Sequence, residues 1–159
     1  MNLLTSIKSQ DEYFEVNTNI ESLKQILNRD EKKFYFEWQT ENSFIISLNF
    51  SFGSNLVLDI NRKSDIIANG NLTELNEFKT KIALQTRSKY LLLLILIIPL
   101  IMMALDFSMN LGIPIPFYFI FPICLIIVLN LTNNEDKRLI RMFKEFLNFE
   151  INNTLQQNI

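Results

Sequence analysis

Two long apolar runs near the middle of the chain restrict its fold more than any other feature. The first, Tyr90–Leu105, has no charged residue, and the second, Ile113–Leu131, has nineteen residues and none either. Only seven residues, Asp106 to Gly112, separate them. A hydrocarbon core of about 30 Å takes roughly 20 helical residues to cross. The second run meets that length alone. The first meets it when extended past Asp106 to about Asn110, because a carboxylate at the interface stays hydrated. The expectation is a transmembrane hairpin with spans at about 90–110 and 113–131.

Orientation follows from the basic residues. Lys79, Lys81, Arg87 and Lys89 precede the first run, and Lys137, Arg138, Arg141 and Lys144 follow the second. The seven residues between the runs contain no Lys or Arg. Basic residues flanking a span stay on the cytoplasmic side. Both termini are therefore expected in the cytoplasm, with the chain multi-pass in a bacterial inner membrane. The first twelve residues lack the apolar core of a signal peptide. Asn, Ile, Lys and Phe are abundant while Ala and Gly are scarce, which fits an AT-rich bacterial genome. Asn-x-Ser/Thr triplets start at Asn49, Asn71, Asn130 and Asn152, and none would reach a lumen in this orientation.

Three regions result. Residues 1–89 form a cytoplasmic α+β domain, 90–131 the hairpin, and 132–159 a cytoplasmic amphipathic helix and tail. In the first region, Thr18-Asn19-Ile20-Glu21 fits a capping box. Ile20, Leu23, Ile26 and Leu27 then share one helical face. Tyr13–Val16 reads as a short strand ahead of it. The period then falls to two. Phe34, Phe36 and Trp38 share one strand face. Phe44, Ile46, Leu48, Phe50 and Phe52 alternate with Ile45, Ser47, Asn49 and Ser51, which predicts the first set buried and the serines and Asn49 exposed. Leu56, Leu58 and Ile60 continue as a strand. Ile66–Leu75 and Thr80–Ser88 make two more, turning at Asn76-Glu77-Phe78 in preference to Asn69-Gly70. The expected fold class is an N-terminal helix plus an antiparallel β-meander, a transmembrane hairpin, and a C-terminal amphipathic helix packed on the sheet.

Within the runs, Pro114 and Pro116 fall at a helix start, where a missing N–H costs little. Pro99 and Pro122 are interior and predict kinks. No ionisable residue lies at mid-membrane, which disfavours a transport path. Beyond Leu131, Asn133 or Asn134 is placed to cap a third helix. Its Leu139, Ile140, Met142, Phe143, Phe146, Leu147 and Phe149 gather on one side, interrupted by Glu150. An apolar sheet face in need of cover favours packing there. An anionic lipid surface or a partner protein are the alternatives, and the lipid reading names Lys89, Arg138, Arg141 and Lys144 as contacts.

The chemistry of function is thin. The chain has no histidine and a single cysteine, Cys124. The commonest general base and metal ligand are therefore missing, and no disulfide within the chain is possible. No catalytic, cofactor or metal residue is assigned. Ser54, Ser64, Asp59, Asp65, Glu74 and Glu77 read as turn and strand-end residues, so an enzyme is not expected. A net charge of −2 argues against nucleic-acid binding. Gly70-Asn71-Leu72, then Lys79-Thr80-Lys81-Ile82 leading into the first run, then Arg138–Phe149 after the second, give a layout. It resembles small bacterial membrane proteins with a β-rich cytoplasmic domain and a two-helix hairpin. The resemblance implies an organisation and no activity. The expected function is a non-enzymatic, membrane-anchored interaction module for a protein partner or lipid headgroups, or a homo-oligomer. The alternative is an immunity or accessory subunit beside a membrane toxin or transporter.

Overall fold

The structure is a computed structural model, and it describes residues 7–29, 34–49, 64, 66–90, 92, 94 and 97–157, with side chains described to residue 153. The chain divides into two compact units. One comprises Gln10–Arg87 with Glu135–Ile159, the other Met1–Ser9 with Ser88–Asn134.

The larger unit is α+β. Its elements are β1 (Asp11–Val16), α1 (Ile20–Leu27), β2 (Phe34–Trp38), β3 (Ser43–Leu48), β4 (Ile67–Asn76) and β5 (Lys79–Thr86). The five strands form one antiparallel sheet in the order β1-β5-β4-β3-β2. Strands β2 to β5 are a meander, as the period-two segments predict. The β4–β5 turn falls at Glu77-Phe78, where Asn76 Oδ1 accepts the Phe78 N–H at 3.0 Å. The first strand completes the sheet by pairing at the far side of β5, with Asp11 opposite Gln85 and Val16 opposite Thr80.

Helix α1 begins one residue later than a capping box at Thr18 requires. Asn19 is the N-cap, and its Oδ1 accepts the Ser22 N–H at 2.8 Å. Asn is among the strongest N-cap residues, and the Thr18 carbonyl instead accepts from Thr80 Oγ1 at 2.8 Å. Leu23, Ile26 and Leu27 are buried, as the helical spacing predicts.

One face of the sheet carries the core: Phe34, Phe44, Ile46, Leu48, Ala68, Leu72, Ile82 and Leu84. Helix α1 covers part of it. The last third of the chain covers more, through Leu139, Ile140, Phe143 and Leu147 of a helix, α3, that runs Pro116–Gln157. Phe143 lies edge-on to Phe34 at 5.6 Å and to Phe14 at 6.3 Å, and tilted on Phe44 at 5.5 Å. Burying a Leu, Ile or Phe side chain is worth about 1.5–3 kcal/mol, so these four contribute roughly 6–12 kcal/mol gross. Net domain stability is about 5–15 kcal/mol. The helix therefore contributes on the scale of the whole domain's net stability. Glu150, which interrupts the apolar stripe, is buried with Arg29 as an ion-pair partner. Phe149, expected on the same side, is exposed instead, because its helical position lies at the edge of the stripe centred on Phe143 and Leu147.

Gly70 sits opposite Phe44 in the β3–β4 register. A Cβ on it would come within 2.1 Å of the Phe44 ring. Glycine is thus required there by a ring lying flat against β4, rather than by a hairpin turn.

The strand expectations hold for β3 with one correction. Phe44, Ile46 and Leu48 are buried and Asn49 is exposed, but Ser47 is also fully buried. Its opposite neighbours are Tyr35 on β2 and Ile67 on β4. Directly opposed Cβ atoms are about 4.5–5.5 Å apart, so two larger side chains shade a small one between them. Phe50, Ser51, Phe52 and the strand expected at Leu56, Leu58 and Ile60 lie outside the described residues.

The smaller unit contains α2 (Ile97–Met109) and the first part of α3. Ile7, Leu125 and Leu129 are buried together, with Leu92 packed on them. The turn between α2 and α3 is ordered by one carboxylate. Asp106 accepts the Tyr118 hydroxyl at 2.7 Å and the Ile113 N–H at 3.2 Å. Asn110 (φ 49°) and Gly112 (φ 67°) adopt left-handed backbone just past the end of α2. Pro116 opens α3, as expected.

One further expectation changes. Asn133 and Asn134 cap no new helix, because α3 is continuous from Pro116 to Gln157. A helix already in progress supplies carbonyls four residues back, so no cap is needed, and no Gly or Pro falls between Ile123 and Gln157. Thr132 Oγ1 turns back onto the Val128 and Leu129 carbonyls at 3.0 and 3.2 Å. Helix α2 is described from Ile97 to Met109, and residues 91, 93, 95 and 96 of the expected span lie outside the described residues. Its 13 residues reach about 20 Å at a rise of roughly 1.5 Å per residue. One helix among the described residues, within α3 at Pro116–Asn153, is long and apolar enough to cross a membrane.

Candidate interaction surfaces

The first surface is basic and lies on the exposed side of α3 in the larger unit. The alternation that buries Leu139, Ile140 and Phe143 leaves Lys137, Arg138 and Arg141 exposed. Arg138 reaches back one turn to Glu135 at 3.3 Å, a solvent-exposed pair of little energetic weight. Lys144 is turned toward the sheet. Its ammonium meets Glu12 at 2.5 Å and lies 5.0 Å from the centre of the Phe14 ring. It helps hold the helix on β1. Lys89 belongs to the other unit, where it donates to Asn133 Oδ1. Of the four basic residues named from the sequence, Arg138 and Arg141 thus share one exposed helix face, and Lys144 stands apart from them.

The second surface is the outer face of the sheet, which sequence reasoning missed as a site. Pairing sets its rows. Tyr13, Ala83, Asn71 and Ser43 lie side by side across β1, β5, β4 and β3. Asp11, Gln85 and Asn69 form the neighbouring row. Ala83 is the small member, flanked by Tyr13 and Asn71. The result is an open trough of about 290 Å³ lined by these residues together with Gly70 and Leu84. Gln85 Nε2 donates to Asp11 Oδ1 at 3.0 Å. Ser43 Oγ lies 2.6 Å from Thr40 Oγ1. Asn69 and Asn71 are exposed and keep their side-chain amides free of hydrogen bonds among the described residues.

Next to the trough, Lys81 lies over the Tyr13 ring at 5.0 Å. Lys79 and Glu15 pair at 2.5 Å. The hydrogen bond from Lys79, together with its positive charge, holds the Glu15 carboxyl below its usual range.

Ser64, one of the side chains considered for catalysis, is buried and its Oγ accepts the Ile66 N–H at 3.1 Å. Glu74 and Glu77 are exposed. Among the described residues, no group of three or more His, Cys, Asp or Glu side chains is placed to hold a metal ion. No protein-family model, curated protein or solved structure matches this chain.

Proposed function

We propose that the chain is a membrane-anchored, non-enzymatic interaction module. The carrying observation is where its apolar surface lies. In the larger unit, Leu, Ile and Phe are mostly inside. Along α2 and the start of α3 they face outward: Leu100, Ile101, Met103, Phe107, Phe119 and Ile123 are all at least half exposed. An exposed apolar surface of this extent calls for lipid or protein around it. Two crossings by the segments 90–110 and 113–131, with both termini cytoplasmic, are the reading we favour. The basic residues outside both apolar runs support it, as does the Asp106 carboxylate that ties the end of α2 to the start of α3.

In this arrangement the α+β unit works at the cytoplasmic surface of a bacterial inner membrane. Arg138 and Arg141, with Lys89 near the first span, would meet anionic headgroups there. The sheet would be left to a protein partner or a second copy. An immunity or accessory subunit beside a membrane toxin or transporter is a special case of the same reading. The test is purification of the tagged full chain from native membranes, followed by mass spectrometry and lipid analysis. A reproducible membrane-protein partner or an enriched anionic lipid supports the module. A chain recovered alone, with bulk lipid composition, overturns it.

A further inference from the structure

We propose that the trough on the outer face of the sheet binds a neutral polyhydroxylated ring, a saccharide unit. This does not depend on how the chain meets the membrane. The first argument is shape. Ala83 lies between Tyr13 and Asn71 in register, so the depression is built into the strand pairing. Its volume of about 290 Å³ is at the lower end for ligand sites, roughly 300–1,000 Å³, and suits one ring. The second argument is chemistry. Asn69, Asn71 and Gln85 each present a donor and an acceptor, which is what hydroxyl groups on adjacent carbons require. Asn69 and Asn71 are two residues apart on one strand face, hence about 6.6 Å along it. That separation lets both amides reach hydroxyls along one edge of a six-membered ring. Asp11, oriented by Gln85, supplies a further acceptor.

The third argument is charge and aromaticity. The lining has one carboxylate and no cation, so it offers phosphates and other anions no opposite charge and one like charge. Tyr13 is 62 % exposed on β1. An aromatic side chain there offers an apolar body and a polar tip, suited to the C–H face and rim hydroxyls of a sugar. Lys81 over the ring limits its rotation. A bound ring would lie on Ala83, with Tyr13 on one side and the two asparagine amides on the other.

The experiment is saturation-transfer NMR on the full chain in nanodiscs, which avoids detergents with sugar headgroups. The probes are glucose, N-acetylglucosamine and the neutral dipeptide N-acetyl-glycylglycine amide. A saturation signal from at least one sugar is expected at millimolar concentration. It should fall at least tenfold in Asn69→Ala/Asn71→Ala. It should vanish in Ala83→Phe, which fills the trough with a residue favoured in strands. Unchanged thermal melting of both variants shows the sheet is intact, and Asn71→Gln, which keeps the amide, should retain part of the signal. No sugar signal overturns the proposal. So does a sugar signal insensitive to Ala83→Phe, or a dipeptide signal alone that Ala83→Phe removes.

Discussion

Replacing Phe143 with alanine should unfold the larger unit at a much lower denaturant concentration. The side chain is fully buried and its ring touches Phe14, Phe34 and Phe44. Truncating a buried Phe to Ala costs about 3–5 kcal/mol, and three ring partners place this site toward the upper end. Each kcal/mol lowers the melting temperature by about 4–8 °C for a domain of roughly 100 residues, so a fall of 15 °C or more is expected. Phe149→Ala is the control. Phe149 lies on the same helix but is 63 % exposed, and a change there should stay within about 0.5 kcal/mol. The assay is urea unfolding of the full chain in nanodiscs, followed by the fluorescence of Trp38, the chain's one tryptophan. Trp38 packs edge-on to Phe36 and Phe44 in the same core, so it reports that core directly. Equal midpoints for the two variants would refute the claim that α3 completes the sheet domain.

Four other outcomes follow. Leu48→Ala should cost about 2–5 kcal/mol. Ser47→Ala should be neutral or slightly stabilising in the same urea assay, because the buried Ser47 hydroxyl has no hydrogen-bond partner among the described residues. The depressed Glu15 carboxyl gives a contribution that is complete above its unfolded-state pKa and is lost as pH falls through its lower folded-state value. Glu15→Gln should therefore reduce the acid-side loss of stability, seen in urea midpoints at neutral pH and below the ordinary carboxylate range. A reporter active only in the periplasm should give signal when fused after Asn110 and none after Gln157; the opposite result reverses the topology.

What was legible in the sequence was mostly local. Period-two alternation marks β2, β3 and β5, and helical spacing marks both the buried side of α1 and the side of α3 that meets the sheet. Burial of Ser47 was not legible, because it depends on Tyr35 and Ile67 across two strand pairings. The continuity of α3 was obscured by Asn133 and Asn134, which resemble caps when their neighbours are unknown. The trough was invisible for a related reason. It needs β1 beside β5, a pairing of residues more than sixty positions apart that no local pattern records. The basic residues were legible as a group, but only packing separates Lys144, held by Glu12, from Arg138 and Arg141.

The central claim is that lipid surrounds the apolar surface of the smaller unit, and Cys124 tests it directly. It is the chain's single cysteine, it lies in the apolar part of α3, and its side chain is exposed on the protein. Only a surrounding bilayer or partner can therefore shield it. A water-soluble maleimide should leave Cys124 unmodified in intact and in broken membranes, and modify it fully after solubilisation in denaturing detergent. Rapid modification in broken membranes, before any detergent, would place Cys124 in water and contradict the account.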